Sequence, residues 1–465
     1  MKTFRLSVVF FILYLFSQPA LSGLKPDESA ASLEQRLEWF QDQKFGFMVH
    51  WGTNCQWGVE ASWGLCLDYP QIRTENWNAD INVFRKAYWE MYKSFYPMQF
   101  GPEEWARIAK EAGMKYFVFT TKHHDGFSMY DTKLTDYRIT SPDCPYHAHP
   151  NPDITARLFN AFRSEGFGIG AYYSKADWHS PFYWKPNTPA PNRNVNYDTA
   201  LEPERWQKFV DFVHGQIGEL MSNYGRIDIL WLDAGWVRPK NKQDLQMDRM
   251  VDMARSKQPG LIVVDRTVSG PHENYLTPEE KVPDKPLGKP WESCFTISTQ
   301  WSFKPYDDWK STRQLIHLLV DIVAKGGNLI LNVGPMPNGQ LPPPAIERMK
   351  EIGAWLKING EAIYSTRAVP PYKENNVCLT KRNDIVYALY LAEENKEKTS
   401  VDIVPQQIIL TGVRAVPGSI ISMLGVQESL PWEQNESGLK ITVPVSVIQS
   451  PPCRYAYVFK IKVAQ

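Results

Sequence analysis

The stretch Ile229-Leu230-Trp231-Leu232-Asp233-Ala234-Gly235-Trp236 is an apolar, β-rich run that ends abruptly on one carboxylate, Asp233. Such a run is normally buried, and a charge is tolerated at its end only where partners or solvent stabilise it. Barrel enzymes present catalytic acids in this way, at the C-terminal ends of parallel strands. The stretch therefore predicts a parallel strand of an α/β barrel with Asp233 at the mouth.

A second carboxylate with an aromatic neighbour lies downstream, in Lys289-Pro290-Trp291-Glu292-Ser293-Cys294. Aromatic faces pack against the C–H faces of sugar rings, and glycosidases use a pair of carboxyl groups. Each acid taken singly is equally compatible with an ordinary loop-edge residue in a salt bridge. The two acids together, each beside a tryptophan, favour sugar chemistry.

Outward from these acids, residues 35 to 360 alternate short apolar runs with helical periodicity, which predicts repeated β/α units. The predicted strands are 45–51, 115–121, 167–174, 227–233, 261–265 and 328–333, and the predicted helices are 103–112, 153–165, 202–223, 311–325 and 344–358. Beyond Tyr364 period-two runs replace the helices. The predicted fold is a (β/α)8-like TIM barrel at residues 23–364 followed by an antiparallel β-sandwich at residues 365–465.

Polar or ring-bearing residues follow the predicted barrel strands. They are His50-Trp51-Gly52, Lys122-His123-His124-Asp125-Gly126, Tyr172-Tyr173-Ser174, Asp233, Asp265-Arg266 and, at the segment near residue 290, Glu292. All C-terminal strand ends of a barrel face one mouth, so residues scattered along the sequence converge there. We therefore expect these side chains to share one site.

Composition and the N-terminus limit the partners. The 465 residues carry 51 basic and 51 acidic side chains, a balance that favours a neutral glycan over nucleic acid. Residues 1–22 resemble an export signal, with two cations, an apolar run and a small-residue cleavage site. We expect no membrane span, and export to the periplasm or outside, or to the lysosome in a eukaryote. The sequence leaves the oligomeric state open.

Several other chemistries find little support. The chain has six cysteines and no C-x-x-C pair, which leaves one bridge, Cys55 to Cys66, open after export. It has no G-x-S-x-G elbow and no ordinary nucleotide-binding motif. His123 and His124 are adjacent, so on an extended chain they point to opposite faces, which favours sugar hydroxyls over a metal. We expect neither metal nor cofactor, although a metal-dependent barrel hydrolase stays an alternative.

Five blocks resemble the α-L-fucosidases of glycoside hydrolase family 29, and together they are specific to that family. They are Lys44-Phe45-Gly46-Phe47-Met48-Val49-His50-Trp51-Gly52, Thr121-Lys122-His123-His124-Asp125-Gly126-Phe127, Trp231-Leu232-Asp233, Trp291-Glu292-Ser293-Cys294 and Gly326-Gly327-Asn328-Leu329-Ile330-Leu331-Asn332-Val333-Gly334-Pro335. The resemblance covers nearly all of the chain after the export signal.

The resemblance implies that Asp233 is the nucleophile and Glu292 the acid/base of a retaining, exo-acting hydrolase, with Glu279 and Glu280 as rivals for the second role. The substrate-binding residues that it implies are His50, Trp63, His123, His124, Tyr173, Trp231, Arg266 and Trp301. Double displacement requires carboxyl groups about 5 to 5.5 Å apart.

Departures from the family pattern bear on the substrate. The family usually has Ser-Glu-Trp-Tyr where this chain has Ala61-Ser62-Trp63-Gly64, so a sugar-binding Glu is missing, and Glu60 or Asp68 can replace it. Gln300-Trp301-Ser302-Phe303 stands where the family has Ser-Trp-Gly-Tyr, and residues 76–100 also match poorly. L-Fucose is the first expectation and a galactose-related sugar the second. The alternative from another class is a carbohydrate-binding protein without turnover.

Overall fold

A computed structural model describes residues 32–73, 80–394 and 402–464, so the predicted export signal lies outside the described residues. The helices are α1 (Leu33–Gln43), α2 (Ile81–Glu90), α3 (Pro102–Glu111), α4 (Ile154–Ser164), α5 (Pro203–Asn223), α6 (Met247–Lys257), α7 (Thr312–Ala324), α8 (Pro343–Asn359) and α9 (Val445–Gln449). The strands are β1 (Phe45–Val49), β2 (Tyr116–Lys122), β3 (Gly168–Ser174), β4 (Ile229–Asp233), β5 (Ile262–Asp265), β6 (Glu292–Thr296), β7 (Asn328–Val333), β8 (Arg367–Glu374), β9 (Val377–Arg382), β10 (Ile385–Leu391), β11 (Gln407–Leu410), β12 (Ser422–Met423), β13 (Trp432–Asn435), β14 (Gly438–Thr442) and β15 (Ala456–Lys462). Among the described helices, none combines the length and apolar character that crossing a bilayer requires.

The first seven strands form one parallel sheet in the order β5-β4-β3-β2-β1-β7-β6. Alternate strand residues point to opposite sides. Met48, Val118 and Trp231 belong to an apolar cluster inside the curled sheet, whereas Phe47 and Leu230 pack against the surrounding helices. The predicted α/β barrel is therefore confirmed, although β6 was not among the predicted strands.

Residues 272–280, which we call the closure segment, fill the gap between β5 and β6. The segment accepts and donates backbone hydrogen bonds on both sides, among them Asp265 N to His272 O, Asn274 N to Val263 O, Glu292 N to Leu276 O, Cys294 N to Pro278 O and Glu280 N to Cys294 O, at 2.9 to 3.1 Å. Its pairing with β6 is parallel. The closure segment thus acts as an irregular eighth strand.

The helices follow the local signals of the sequence, as α4 illustrates. The side chain of Asp153 accepts a hydrogen bond from the backbone N–H of Ala156 at 2.8 Å and caps the first turn. Gly166 follows the helix with φ of +85°, a conformation that glycine adopts without steric cost. The predicted helix at residues 153–165 is thus observed, with one residue fewer at each end.

The C-terminal part consists of two antiparallel sheets, β12-β15-β10-β9-β8 and β11-β14-β13. Residues of both sheets, such as Leu379 and Ile441, share one buried apolar cluster, as the predicted sandwich requires. The short helix α9 was not expected there. Trp355 of α8 donates its indole N–H to the carbonyl of Ala456 at 2.9 Å, so the barrel and the sandwich are in direct contact.

The bridge between Cys55 and Cys66 that the sequence left open is not formed, since all six cysteines are free thiols. Both thiols are buried. The sulfur of Cys66 is directed to the carbonyl of Trp63 at 3.5 Å. Cys55 lies within the helical turn Thr53–Gln56, and Cys66 directly follows the separate turn Trp63–Leu65.

Candidate active site

A cavity of about 480 Å³ opens at the C-terminal ends of the barrel strands, the position that such enzymes use for catalysis. Its walls include His50, Glu60, Trp63, His123, His124, Arg193, Trp231, Asp233, Arg238, Arg266, Glu279 and Trp301. Seven of the eight predicted substrate-binding residues and Asp233 therefore meet at one site. The two exceptions, Tyr173 and Glu292, are described below.

Asp233 ends β4 and is held by two donors. The hydroxyl of Tyr172 donates to Oδ2 at 2.6 Å, and Nη1 of Arg266 donates to Oδ1 at 3.2 Å. Burial alone would raise the pKa of the carboxyl group, but the charge of Arg266 and the Tyr172 hydrogen bond outweigh it and lower that pKa. Asp233 is therefore ionised at neutral pH, as a nucleophile must be.

Three histidines on the cavity wall are neutral and oriented. Nδ1 of His50 meets Oδ1 of Asn332 at 2.7 Å, Nδ1 of His124 meets Oγ of Ser174 at 2.7 Å, and Nδ1 of His123 is hydrogen-bonded to Ser62. Burial lowers the pKa of His50 to about 4 and that of His124 to about 3, and it also lowers the pKa of His123. With Nδ1 occupied, each ring keeps Nε2 for a sugar hydroxyl.

Tryptophans provide the flat surfaces of the cavity. Trp231 stacks on Tyr172 with ring centroids 5.1 Å apart, and the guanidinium of Arg266 lies 4.9 Å from its ring. Trp63 contacts the edge of His124 at 5.0 Å, and Trp301 lies 5.1 Å from His50. These rings offer surfaces on which the apolar face of a sugar can pack.

The structure does not bring Tyr173 to the cavity. Tyr173 belongs to the apolar layer between strands and helices, and its hydroxyl donates to Gln216 of α5 at 2.7 Å. Its neighbour Tyr172 points inward and contacts Asp233 instead. Because neighbouring residues of a strand face opposite sides, only one of the two tyrosines can reach the site.

Glu292 also lies elsewhere than predicted. It is the first residue of β6, at the end of the strand remote from the mouth, and is completely buried. Tyr116, Trp231 and Tyr275 donate to its carboxyl group at 2.6, 3.1 and 3.3 Å. Burial raises the pKa of Glu292 to about 7, but this raised pKa belongs to a group enclosed beneath Trp231. Glu292 supports the cavity floor and does not line the cavity.

Glu279 of the closure segment occupies the place predicted for Glu292. It pairs with Cys294, two residues further along β6, and so lies nearer the mouth. Its side chain lines the cavity, is 44% exposed and forms an ion pair with Nη2 of Arg266. Arg266 thus contacts Glu279 through one terminal nitrogen and Asp233 through the other.

The altered segment after β1 has a partial substitute for its missing carboxylate. Ser62 is used to orient His123, whereas Glu60 lines the cavity and accepts the backbone N–H of Trp301 at 3.1 and 3.2 Å. Burial raises the pKa of Glu60 to about 8. Asp68 pairs with Arg193 at 2.5 Å and does not line the cavity. Of the two candidates, Glu60 is the one placed to contact a sugar.

Sequence reasoning placed Tyr172 among the strand-end residues but gave no specific role to Tyr172, Asn332 or Arg238. Asn332 connects two walls, since its Oδ1 meets His50 and its Nδ2 donates to the carbonyl of Trp301 at 2.6 Å. Its position in β7 carried a usable signal, because a polar side chain inside an apolar strand requires hydrogen-bond partners. Arg238 follows β4 on a loop and offered no such signal.

One group of side chains can hold a metal ion, within the ranges that the structure describes. Donor atoms of His123, His124 and Asp233 lie within 4.8 Å of one another. Two neutral imidazoles and a carboxylate suit a transition metal. A metal there would occupy the same space as a sugar bound at Asp233, so the two ligands would compete.

Comparison with known proteins agrees with this geometry. Residues 17–361 match the family model described as Alpha-L-fucosidase, and residues 373–462 match that of the Alpha-L-fucosidase C-terminal domain. Alpha-L-fucosidase of Branchiostoma floridae is 29% identical over 93% of this chain and 94% of its own, and human tissue alpha-L-fucosidase is 28% identical over 94% and 91%.

Solved structures give the same result. Alpha-L-fucosidase isoenzyme 1 from Paenibacillus thiaminolyticus superposes with a TM-score of 0.75 and 28% identity, covering 94% of this chain and 100% of its own. Thermotoga maritima alpha-fucosidase in complex with fucose superposes with a TM-score of 0.72 and 25% identity, covering 92% and 98%. The chain belongs to the α-L-fucosidase family and is a glycoside hydrolase.

Proposed function

We propose that the protein is a retaining, exo-acting α-L-fucosidase in which Asp233 is the nucleophile and Glu279, rather than Glu292, is the acid/base. The observation that carries the proposal is the contact of both carboxylates with one guanidinium, that of Arg266. Acids on neighbouring nitrogens of one guanidinium are close enough to act on the same glycosidic bond. Retaining enzymes need a carboxyl separation of about 5 to 5.5 Å.

In the first step, a carboxylate oxygen of Asp233 attacks the anomeric carbon while Glu279 gives its proton to the departing oxygen. In the second step, Glu279 takes a proton from water, which attacks the same carbon and frees Asp233. Glu279 is paired with Arg266 in the free enzyme, so the arriving substrate must separate them. The 44% exposed side chain of Glu279 has room for that movement.

L-Fucose is the sugar that the site suits best. Neutral rings of His50, His123 and His124 supply hydrogen bonds without charge, as hydroxyl groups require. A similar Thermotoga maritima structure is described as a complex with fucose. A galactose-configured sugar shares much of the hydroxyl arrangement and stays the second candidate, because Ser62 replaces the usual Glu.

Azide rescue of nitrophenyl α-L-fucoside hydrolysis tests both assignments. Asp233→Ala should lower kcat about 10⁴-fold or more, and azide should then yield the β-fucosyl azide by direct displacement. Glu279→Ala should slow turnover about 10²- to 10⁴-fold, and azide should intercept the Asp233 ester to yield the α-fucosyl azide. Glu292→Gln is the matched control, and azide should not rescue it.

Three results would each contradict a part of the proposal. The α-azide arising from Glu292→Ala and not from Glu279→Ala would return the acid/base role to Glu292. A parallel screen of nitrophenyl glycosides identifies the sugar. Faster cleavage of the α-galactoside than of the α-L-fucoside would make a galactose-configured sugar, and not fucose, the preferred substrate. Wild-type activity that EDTA abolishes and Zn²⁺ restores would favour a metal-dependent mechanism at His123, His124 and Asp233.

A further inference from the structure

Charged side chains on the cavity wall are mostly matched with partners. Arg266 holds Asp233 and Glu279, and Arg193 pairs with Asp68 at 2.5 Å. Glu60 accepts a backbone N–H and, with its pKa raised by burial to about 8, is largely uncharged at neutral pH. The remaining charged residue of the wall is Arg238.

The guanidinium of Arg238 makes no ion pair within 4 Å and no hydrogen bond with residues 32–73, 80–394 or 402–464. Its Nε is buried and lacks an acceptor. A buried donor without an acceptor costs free energy, and a cation in a concave site strengthens the local positive potential. The protein therefore keeps an uncompensated positive charge on the wall of its active-site cavity.

The position of Arg238 connects this charge with the leaving group. Arg238 lies five residues beyond Asp233, on the loop that leaves β4 at the barrel mouth. That loop abuts the connection that carries Arg266, because a Cβ placed on Gly235 would lie 1.9 Å from Oγ1 of Thr267. An exo-acting enzyme takes the sugar that it releases into the bottom of the cavity. The rest of the glycan therefore extends out through the barrel mouth, where these loops lie.

We propose that Arg238 binds a negatively charged substituent, a sulfate ester or a carboxylate, on the sugar from which fucose is released. This inference rests on the proposed fucosidase function and concerns the other side of the scissile bond. A guanidinium matches either anion through two parallel N–H···O bonds, a geometry that lysine lacks. The substrate class is thus an acidic fucosylated glycan.

Matched substrates test the inference by the ratio of kcat/KM values. The set comprises a neutral fucosyl-galactoside, its 3-O-sulfate, its 6-O-sulfate and the corresponding galacturonide. We expect the wild type to prefer at least one acidic substrate over the neutral one about tenfold, the size of one charge-assisted contact. The preferred member of the set tells sulfate from carboxylate.

Variants at Arg238 and at a nearby lysine separate this contact from general electrostatics. In Arg238→Gln the acidic-to-neutral ratio should fall to about one, and in Arg238→Lys it should be intermediate. Lys240→Gln removes an exposed charge two residues away, outside the cavity, and should keep the ratio. Raising the salt from about 0.05 M to about 0.5 M should weaken the wild-type preference by screening.

The inference is overturned if the wild type cleaves the neutral substrate and favours none of the acidic ones, or if Arg238→Gln keeps the preference. Failure of the fucosidase proposal gives a different result, since the wild type then cleaves none of the four fucosides.

Discussion

Asp233, the proposed nucleophile, accepts a hydrogen bond from the tyrosine next to the one that the sequence suggested. Tyr172 and Tyr173 are adjacent in β3, yet one donates to Asp233 and the other to Gln216 on the helix side. The pair therefore offers a matched comparison in which one hydroxyl is removed from each face of the same strand.

Tyr172→Phe should lower kcat for the nitrophenyl fucoside about tenfold, because a hydrogen bond to an ionised carboxylate is lost. The Tyr172 hydroxyl helps to lower the pKa of Asp233, so its removal should raise that pKa. The acid limb of the kcat/KM profile, where Asp233 becomes protonated, should then move to higher pH. A pH–rate profile of the variant and the wild type measures this shift.

Tyr173→Phe is the control for that experiment. It should leave the acid limb in place and instead lower the free energy of unfolding by about 1 to 3 kcal/mol, since the buried Gln216 oxygen loses a donor. Equal displacement of the acid limb in both variants would contradict the assignment of Tyr172.

The predicted residues that line the cavity share a physical reason for lying there. Asp233, His50, His123, His124 and Arg266 follow strands, and barrel geometry directs all such positions to the mouth. Tyr173 and Glu292 lie outside the cavity. A sequence motif identifies the type of residue, but it does not show which face of a strand the residue is on or at which end of the strand it lies. The alternation of side chains along β3 does not show which tyrosine faces the site, since both faces of this strand are buried.

At the scale of elements, two loops at the mouth are fitted to each other. Gly235 lies two residues after Asp233. A Cβ added to Gly235 would lie 1.9 Å from Oγ1 of Thr267 and 2.8 Å from the carbonyl oxygen of Arg266. The connection between β5 and the closure segment therefore rests directly on the loop after β4. The position of Arg266 depends on this contact.

Gly235→Ala should displace Arg266 and lower kcat/KM about 100-fold, the size expected when catalytic groups shift by about 1 Å. Kinetics with the nitrophenyl fucoside measure the loss. Gly288→Ala, in the connection between the closure segment and β6 and with no atom within 4 Å of the added Cβ, should behave like the wild type. Thr267→Ala combined with Gly235→Ala should recover part of the activity, and strict additivity of the two changes would contradict this account.

The elements predicted from the sequence were those with strong periodicity. Helix α4 has a capping Asp153 and a terminal Gly166, and β4 has a continuous apolar run. The closure segment reads His272-Glu273-Asn274-Tyr275-Leu276-Thr277-Pro278-Glu279-Glu280 and shows neither period. Its extended form is imposed by the unpaired edges of β5 and β6, a tertiary effect that a local pattern does not contain.

At the scale of the whole molecule, the barrel and the sandwich are joined by apolar packing and by a buried ion pair. Arg313 of α7 donates to Asp402 at 2.6 Å, and the same carboxylate accepts the backbone N–H of Tyr455 at 2.8 Å. The Asp402 side chain is only 3% exposed. A change of periodicity predicted where the sandwich begins, but no sequence pattern indicated which residues join it to the barrel.

Asp402→Ala should lower the free energy of unfolding by about 3 kcal/mol, because it leaves the largely buried Arg313 without its partner. Urea unfolding measures the loss, and kcat/KM for the fucoside should stay unchanged. Glu433→Ala, which breaks the exposed pair with Lys440, should cost less than about 1 kcal/mol. Equal losses in the two variants would contradict a specific role for Asp402.

The two proposed catalytic carboxylates are held by elements of different regularity. Asp233, the proposed nucleophile, is the last residue of a regular parallel strand, whereas Glu279, the proposed acid/base, is carried by a stretch that meets its neighbours only through isolated bridges. A change of sequence in that stretch would therefore alter how the leaving group is protonated before it altered the group that attacks the anomeric carbon.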